Sequence, residues 1–164
     1  MEFDTKKLKP AHLKRIRALA DLNEDQLARF LQYVAFVESK QNDKIFHEGE
    51  EADCMFLILQ GQVRFLTEKK RGRPYFLRYL EAGDSFGEIA LIDGGLRSAT
   101  AEACKESLLL KLDADALEKL IGEEPRLGNQ VLLRICLELG AHLRDLTKRV
   151  GNDAALREVL QVLA

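Results

Sequence analysis

The order of hydrophobic and polar positions divides the chain into a helical start, a run of short strands and a helical end. Residues 10–20 carry apolar side chains at helical spacing. A second helical pattern begins at Asn23, where Asn23 and Gln26 form the polar pair of a capping box. We therefore predict two N-terminal helices within residues 1–36.

From residue 37 the apolar positions come instead in short runs, separated by polar turns that contain glycine. The runs follow Val37 and lie at residues 45–46, 55–59, 63–66, 75–79 and 108–112. Short strands with regular turns are typical of antiparallel sandwiches and jelly rolls. We predict an antiparallel β jelly-roll barrel over residues 37–112, which with the flanking helices makes the fold class α+β.

Helical spacing returns after the strands and defines a C-terminal helical part over residues 113–164. Asp113 is placed to cap the first helix, and we expect Gly122 to end it. A long helix is predicted over residues 127–150. We expect a break at residues 151–153 and a short final helix at residues 154–163.

The long helix carries apolar side chains with a seven-residue repeat. The two rows of the repeat are Leu132, Leu139 and Leu146, and Cys136, Leu143 and Val150. Such a seam is typical of a helix that packs along a partner. It predicts a homodimer, although the same helix could instead cover the barrel of its own chain.

Composition and charge narrow the classes of function. The chain has 164 residues and a formal net charge of −2, so nothing draws it generally to nucleic acid or anionic membranes. Its three separated cysteines argue against a disulfide framework and a zinc knuckle. No apolar run approaches the ~20 residues of a membrane span, and the N-terminus has no apolar signal core. We expect a cytoplasmic protein without a membrane span.

Other chemical signals are weaker. Basic clusters in residues 6–17 and 69–73 could touch nucleic acid, but solvated charged faces are more usual, and we expect no direct contact with nucleic acid. The three histidines are scattered along the chain, which speaks against a metal site. No nucleophile elbow, zinc-protease or P-loop motif occurs, so we do not expect an enzyme.

The most informative segment covers residues 84–100. Phe86 is expected to anchor it in the core, Gly87 allows close backbone approach, and Glu88 begins a possible helical turn. Arg97 offers a planar fork of donors for phosphate oxygens, and Ser98 adds a hydroxyl. A buried arginine without a partner is costly, so Arg97 in an apolar run requires an anion. The segment predicts a binding site for a compact ligand with a phosphate and a hydroxyl.

The runs Phe86-Gly-Glu-Ile-Ala-Leu91 and Arg97-Ser-Ala-Thr100 closely resemble the phosphate-binding cassette of cyclic-nucleotide-binding domains. That family includes the bacterial catabolite activators and the regulatory subunits of kinases. Gly49, Gly61 and Gly83 also fall where the turns of the family's barrel fall, and the order of the helices matches. The resemblance covers about residues 15–150.

The resemblance implies roles for individual residues. Arg97 would bind the cyclic phosphate, with backbone N–H groups near Ala90 and Ser98. Glu88 and the Gly87 carbonyl would take the ribose 2′-hydroxyl. The long helix would cover the base, with Thr147 able to reach adenine. Ile89 and Leu91 would pack the turn onto the barrel. The ligand-binding residues predicted in this way are Phe86, Gly87, Glu88, Ile89, Ala90, Arg97, Ser98 and Thr147.

The implied function is that of a cyclic-nucleotide sensor, with cAMP as the favoured ligand and cGMP not excluded. The C-terminal helix would carry the signal to an effector protein that the sequence does not identify. A transcription factor of the family would continue with a winged helix-turn-helix, for which too few residues follow Asn152. The chain is therefore expected to be either a stand-alone sensor or the sensor half of a regulator. The alternative is a ligand-free protein-interaction module on the same fold.

Overall fold

The structure, a computed structural model, describes residues 9–68 and 74–152. The predicted final helix at residues 154–163 and the basic cluster at residues 69–73 lie outside these residues, as does the start of the basic cluster at residues 6–17. No helix in the described part is both long and apolar enough to cross a bilayer.

Residues 9–36 contain one α-helix, where two N-terminal helices were predicted. Helix α1 covers Glu24–Phe30, and its capping box is confirmed, because the Asn23 side chain accepts from the Gln26 N–H at 2.9 Å while the Gln26 side chain accepts from the Asn23 N–H at 2.9 Å. The predicted helix before it is instead two 3-10 segments, Pro10–Arg15 and Arg17–Leu19, and a third, Leu31–Tyr33, follows α1.

Burial explains the 3-10 geometry. Leu13, Ile16 and Leu19 are all buried and are spaced by three residues, which suits a helix of three residues per turn. Ile16 itself is extended and separates the two segments.

In the described part of the chain, eight strands form two antiparallel sheets. The strands are β1 Ala35–Ser39, β2 Lys44–Phe46, β3 Cys54–Gln60, β4 Gln62–Glu68, β5 Pro74–Glu81, β6 Ser85–Phe86, β7 Thr100–Ala103 and β8 Ser107–Asp113. One sheet has the order β1-β8-β3-β6 and the other β2-β7-β4-β5, which is the strand order of a jelly roll. The prediction of an α+β protein with an antiparallel jelly roll is confirmed, and the barrel is not closed. Among the described residues the edge strands of one sheet form no ladder with those of the other, so the sheets remain an open sandwich.

Strands β6 and β7 were not predicted from the sequence. Strand β6 lies within residues 84–100, and β7 begins at the end of that segment. Strand β6 has only two residues. Strand β7 is buried along its whole length between β2 and β4, but its sequence Thr-Ala-Glu-Ala has no hydrophobic alternation. Small side chains suit its central position, because they leave room for neighbouring side chains between the sheets.

The acid in β7, Glu102, is buried between two cations. Its carboxylate accepts hydrogen bonds from Lys44 of β2 and Arg64 of β4. Burial alone would raise the pKa of Glu102, but the bonds from Lys44 and Arg64 outweigh it and lower the pKa below its ordinary value. The negative charge of Glu102 is therefore compensated by a cation on each neighbouring strand.

The core has two parts. One lies between the helices and the outer face of the β1-β8-β3-β6 sheet and consists mainly of leucines. The other lies between the sheets and is built around Phe46, Phe56, Phe65 and Phe86. The Phe86 ring lies 5.3 Å from Phe56, 5.5 Å from Phe65 and 5.8 Å from Phe46, measured between centroids. Because Phe86 belongs to the segment of residues 84–100, this aromatic cluster ties the candidate site to the core.

The short helix α2, Glu88–Asp93, lies between β6 and β7, and two further helices follow the last strand. Helix α3 covers Ala114–Glu123, and the predicted cap is confirmed, since Asp113 accepts from the Ala116 N–H at 2.9 Å. The helix continues one residue past Gly122, where it was expected to end. Helix α4 covers Pro125–Asn152, so the predicted break at residues 151–153 is wrong for Gly151 and Asn152.

The predicted seam on α4 divides between two faces of the helix. Leu132 and Leu139 pack against the core, whereas Cys136 and Leu143 are exposed. The most buried positions of α4 are Leu127, Val131 and Ile135. The row of Leu132 and Leu139 lies nearer to these positions around the helix, so it reaches the core and the row of Cys136 and Leu143 does not. Leu133 and Leu137, which lie one helical turn apart, are also exposed; we call this pair the outer row.

Candidate functional site

The segment of residues 84–100 forms a compact turn between the two sheets. Strand β6 leads into Gly87, which has a φ of +80° and caps helix α2, Glu88–Asp93. The predicted helical turn is therefore confirmed. A Cβ atom at Gly87 would lie 2.5 Å from Nη1 of Arg97 and 3.3 Å from the Cys54 carbonyl oxygen. Only glycine fits this conformation and this close approach.

Arg97 lies beneath the turn and is 6% exposed. Its Nη1 donates to the carbonyl oxygens of Cys54, at 2.7 Å, and Gly87, at 3.1 Å, and its Nη2 donates to Cys54 Sγ at 3.0 Å. The guanidinium also lies 4.1 Å from the centroid of the Phe46 ring. Burial raises the pKa of the Cys54 thiol, although Arg97 opposes this, so the sulfur is a neutral acceptor.

All of these partners of Arg97 are uncharged. None of the salt bridges among residues 9–68 and 74–152 includes it. Glu50 is the nearby acid, and Arg97 contributes to lowering the pKa of its carboxyl, but the two side chains form no direct ion pair. A buried guanidinium whose hydrogen-bond partners are all uncharged is costly, and its planar fork suits an anion with two oxygens. The arrangement is therefore chemically suited to a phosphate.

Glu88, the predicted acceptor for a hydroxyl, is 4% exposed and contacts helix α4. Its Oε1 lies 3.3 Å from Nδ1 of His142. The sequence offers two positions for His142, at the edge of the seam or near the base, and favours the edge, because no motif marks this residue 54 positions from Glu88. Cys54 and Phe46 were missed, since their sequence pattern is that of ordinary core strand residues.

The other predicted residues of the turn divide by burial. Phe86 and Ala90 are buried, as is Leu91, which packs into the core. Ile89 is 48% exposed, so the expectation that it packs the turn onto the barrel is wrong. A residue turns by about 100° along an α-helix, so Glu88 and Leu91 face inward while Ile89 faces outward.

Ser98 and Thr147 are both exposed. Ser98 directly follows Arg97, where its hydroxyl is open to a ligand. The Thr147 hydroxyl donates to the Leu143 carbonyl of its own helix at 2.9 Å. Within the described ranges, no hydrogen bond joins Thr147 to the turn; α4 approaches the turn through His142, about 7.5 Å earlier along the helix axis.

A cavity of about 210 Å³ lies beside this contact. It is lined by Arg17, Asp84, Ser85, Arg134, Leu137, Glu138, Ala141 and His142. Arg17 forms an ion pair with Asp84 at 2.7 Å, and the Ser85 hydroxyl donates to Glu138 Oε2. The other carboxylate oxygen of Glu138 is buried without a hydrogen-bond partner. Burial raises the pKa of Glu138, although the bond from Ser85 and the nearby His142 partly oppose this.

Replacing Glu138 with glutamine is expected to stabilise the protein near neutral pH. A raised pKa in the folded state means that ionised Glu138 is penalised on folding, so its contribution to stability falls as the pH rises from its unfolded pKa through its folded pKa. Glutamine removes the charge and still accepts from Ser85. A gain of ~1 kcal/mol corresponds to about 2–4 °C in the Tm of a chain of this size.

Thermal unfolding near pH 7.5 and near pH 4 measures this effect. The gain of Glu138→Gln should disappear at the acidic pH, where the carboxyl is protonated in both states. Glu118→Gln, at an exposed position of α3, is the control and should leave the Tm unchanged. A Glu138→Gln protein that is less stable at both pH values would show that the carboxylate is stabilising.

Residues 36–124, more than half of the chain, match the sequence profile of the cyclic nucleotide-binding domain. This chain belongs to the cyclic nucleotide-binding domain family, as the two runs in residues 84–100 indicated.

Characterised relatives have moderate identity. The chain is 25% identical over 151 residues to the CRP-like cAMP-activated global transcriptional regulator of Mycobacterium tuberculosis H37Rv, covering 92% of this chain and 67% of that protein. It is 27% identical over 128 residues to the cAMP-activated global transcriptional regulator CRP of Escherichia coli O157:H7, covering 77% of this chain and 59% of that protein. The matches thus span about three fifths to two thirds of these relatives.

Solved structures show the same architecture. A cyclic nucleotide-binding domain from Methylobacillus flagellatus KT has a TM-score of 0.78 and 26% identity, with 86% of this chain and 83% of that chain covered. The catabolite activator protein of Thermus thermophilus has a TM-score of 0.74 and 27% identity, with 82% of this chain and 62% of that chain covered.

Proposed function

We propose that this domain is a cAMP sensor that binds its ligand at the turn formed by residues 84–100. The observation that carries the proposal is Arg97, a buried guanidinium whose partners are two carbonyl oxygens, a thiol and an aromatic face. The cyclic phosphate would supply the negatively charged acceptor that these hydrogen-bond partners do not. Charge-assisted hydrogen bonds are roughly twice as strong as neutral ones, so phosphate oxygens should replace the present acceptors.

The remaining groups of the turn suit the rest of a nucleotide. Glu88 provides an acceptor for the ribose 2′-hydroxyl, with the Gly87 carbonyl beside it, and Ser98 offers a hydroxyl next to Arg97. The choice of cAMP over cGMP is supported by the relatives, since both regulators compared above are cAMP-activated. We propose a regulatory domain and not an enzyme.

Calorimetry with the wild-type domain tests the proposal. A cyclic mononucleotide has about 22 non-hydrogen atoms, and ~0.3 kcal/mol per atom gives roughly 7 kcal/mol, or a Kd on the order of 1–10 μM. We expect cAMP to bind in this range, cGMP more weakly, and linear 5′-AMP more weakly again, because its phosphate has a different charge and shape. Absence of cAMP binding at several hundred micromolar would refute the proposal.

The signal would leave the site through helix α4. His142 on this helix contacts Glu88, so a ligand that engages Glu88 changes a contact that holds α4 in place. A ligand with different contacts in two positions of α4 shifts the equilibrium between them. We propose that α4 passes this shift to an effector protein in the cytoplasm, without direct contact between this domain and nucleic acid.

We also propose that α4 forms a homodimer through the outer row of Leu133 and Leu137, two exposed leucines one turn apart. Sedimentation should show a dimer for the wild type and a monomer for Leu137→Glu. Leu77→Glu, at an exposed apolar position of β5, is the matched control and should stay dimeric. A monomeric wild type, or a dimer that survives Leu137→Glu, would contradict this interface.

A further inference from the structure

We infer that His142 is a positioning residue for Glu88 and that it makes the affinity for a cyclic nucleotide rise as the pH falls. The inference rests on the proposed function, because it assigns a regulation to the same site.

The carboxylate of Glu88 is buried at the contact with α4. Glu88 is 4% exposed, and removing a carboxylate from water is costly unless a partner compensates it. Nδ1 of His142 lies 3.3 Å from Oε1 of Glu88, and the His142 side chain is 28% exposed. This contact orients the carboxylate from one side through Oε1. The second oxygen, Oε2, is then the acceptor for a ribose hydroxyl.

The charged groups around His142 come from several elements. They are Glu88 of α2, Glu138 and Arg134 of α4, Asp84 before β6, and Arg17 of the second 3-10 segment. Arg17 is paired with Asp84, and Arg134 is paired with Asp21 outside the cavity. Glu138 accepts from Ser85. The two arginines are thus engaged with other acids, and Glu88 has His142 as its basic partner.

The ligand adds a further negative charge to this neighbourhood. Arg97, the proposed phosphate group, donates to the carbonyl of Gly87, the residue next to Glu88. A phosphodiester held by Arg97 would lie beside the backbone of residues 87 and 88, and like charges repel each other in a buried site. A protonated His142 offsets this repulsion, whereas a neutral His142 does not.

Binding of the anion therefore favours uptake of a proton by His142. By linkage, the affinity falls as the pH rises through the range in which histidine loses its proton, between about pH 5 and 8. We expect the affinity to decrease on the order of fivefold across this range, which is at the low end of the usual coupling between two sites.

The experiment is calorimetry with cAMP near pH 5.5, 6.5 and 8, with thermal melts to verify folding at each pH. The wild type should lose affinity by about fivefold. His142→Gln, which keeps an amide donor but cannot be protonated, should bind equally at all three pH values. Glu138→Gln, which removes an acid that interacts with His142, should change the pH range of the decrease but not abolish it. In a Glu88→Gln background, His142→Gln should have no further effect on affinity.

Each opposite result overturns the inference. A pH dependence that persists in His142→Gln, or that disappears in Glu138→Gln, would assign the titration to another group. An undiminished effect of His142→Gln in the Glu88→Gln background would show that the two side chains act independently. Wild-type binding that is insensitive to pH overturns this inference alone, whereas absence of binding at every pH overturns the proposed function and the inference with it.

Discussion

Arg97→Ala is expected to weaken cAMP binding by about 100-fold or more. The side chain would give the cyclic phosphate at least two charge-assisted hydrogen bonds, each worth about 1.5–3 kcal/mol. Loss of ~3 kcal/mol corresponds to roughly 100-fold in Kd. Titration calorimetry measures the change directly, and a thermal melt checks that the variant is folded, because the carbonyls of Cys54 and Gly87 lose their donor.

Two control variants test whether the planar donor geometry and the position of Arg97 matter in addition to its positive charge. Arg97→Lys keeps the positive charge but loses the planar arrangement of donors, so its affinity should lie between those of the wild type and Arg97→Ala. Arg126→Ala removes an exposed arginine at the start of α4 and should leave the affinity unchanged. If Arg97→Ala bound cAMP as tightly as the wild type, the phosphate would not be held at Arg97. If neither protein bound cAMP, the alternative of a ligand-free interaction module would be favoured.

Phe86→Ala is expected to reduce the free energy of unfolding by about 3–5 kcal/mol, the usual cost of removing a buried phenylalanine. Phe86 is 1% exposed and contacts three other rings of the aromatic cluster. Truncation leaves a cavity between the sheets that these rings cannot fill without moving. Since Phe46 also lies under the guanidinium of Arg97, the variant should lose ligand affinity together with stability.

Denaturant unfolding of Phe86→Ala and Phe36→Ala tests this expectation. Phe36 lies on β1 and is 39% exposed, so its truncation should cost about 1 kcal/mol or less. Equal losses of stability for the two variants would show that the aromatic cluster does not hold the turn. The comparison isolates the effect of position, because the same side chain is removed in both proteins.

Local signals in the chain predicted local structure well. Asn23 with Gln26, and Asp113, cap helices as their side chains indicate, because a cap depends on residues within one turn of each other. Glycine at position 87 and the apolar run after it predicted helix α2 for the same reason. Strands with an alternating or continuous apolar pattern were also found, whereas β7, made of small residues, was not.

The errors lie where neighbours distant in the chain decide the outcome. The N-terminal segment is a 3-10 structure because its buried side chains must all meet the core. Leu132 and Leu139 pack against the core because α4 lies on the N-terminal segment and α3. The heptad pattern of α4 does not specify which elements the helix packs against. Ile89 is exposed because Glu88 and Leu91 occupy the inner face of α2.

The sequence by itself determined the family and the jelly-roll class, and it proposed Glu88 and Arg97 as the two chemical groups of the site, because these depend on residue types at short, fixed spacings. Only the tertiary structure decided what those groups contact. Arg97 meets the Cys54 carbonyl and thiol, 43 positions away, and Glu88 meets His142, 54 positions away. Contacts across such separations arise from the packing of sheets and helices as whole elements, and a linear pattern does not specify them.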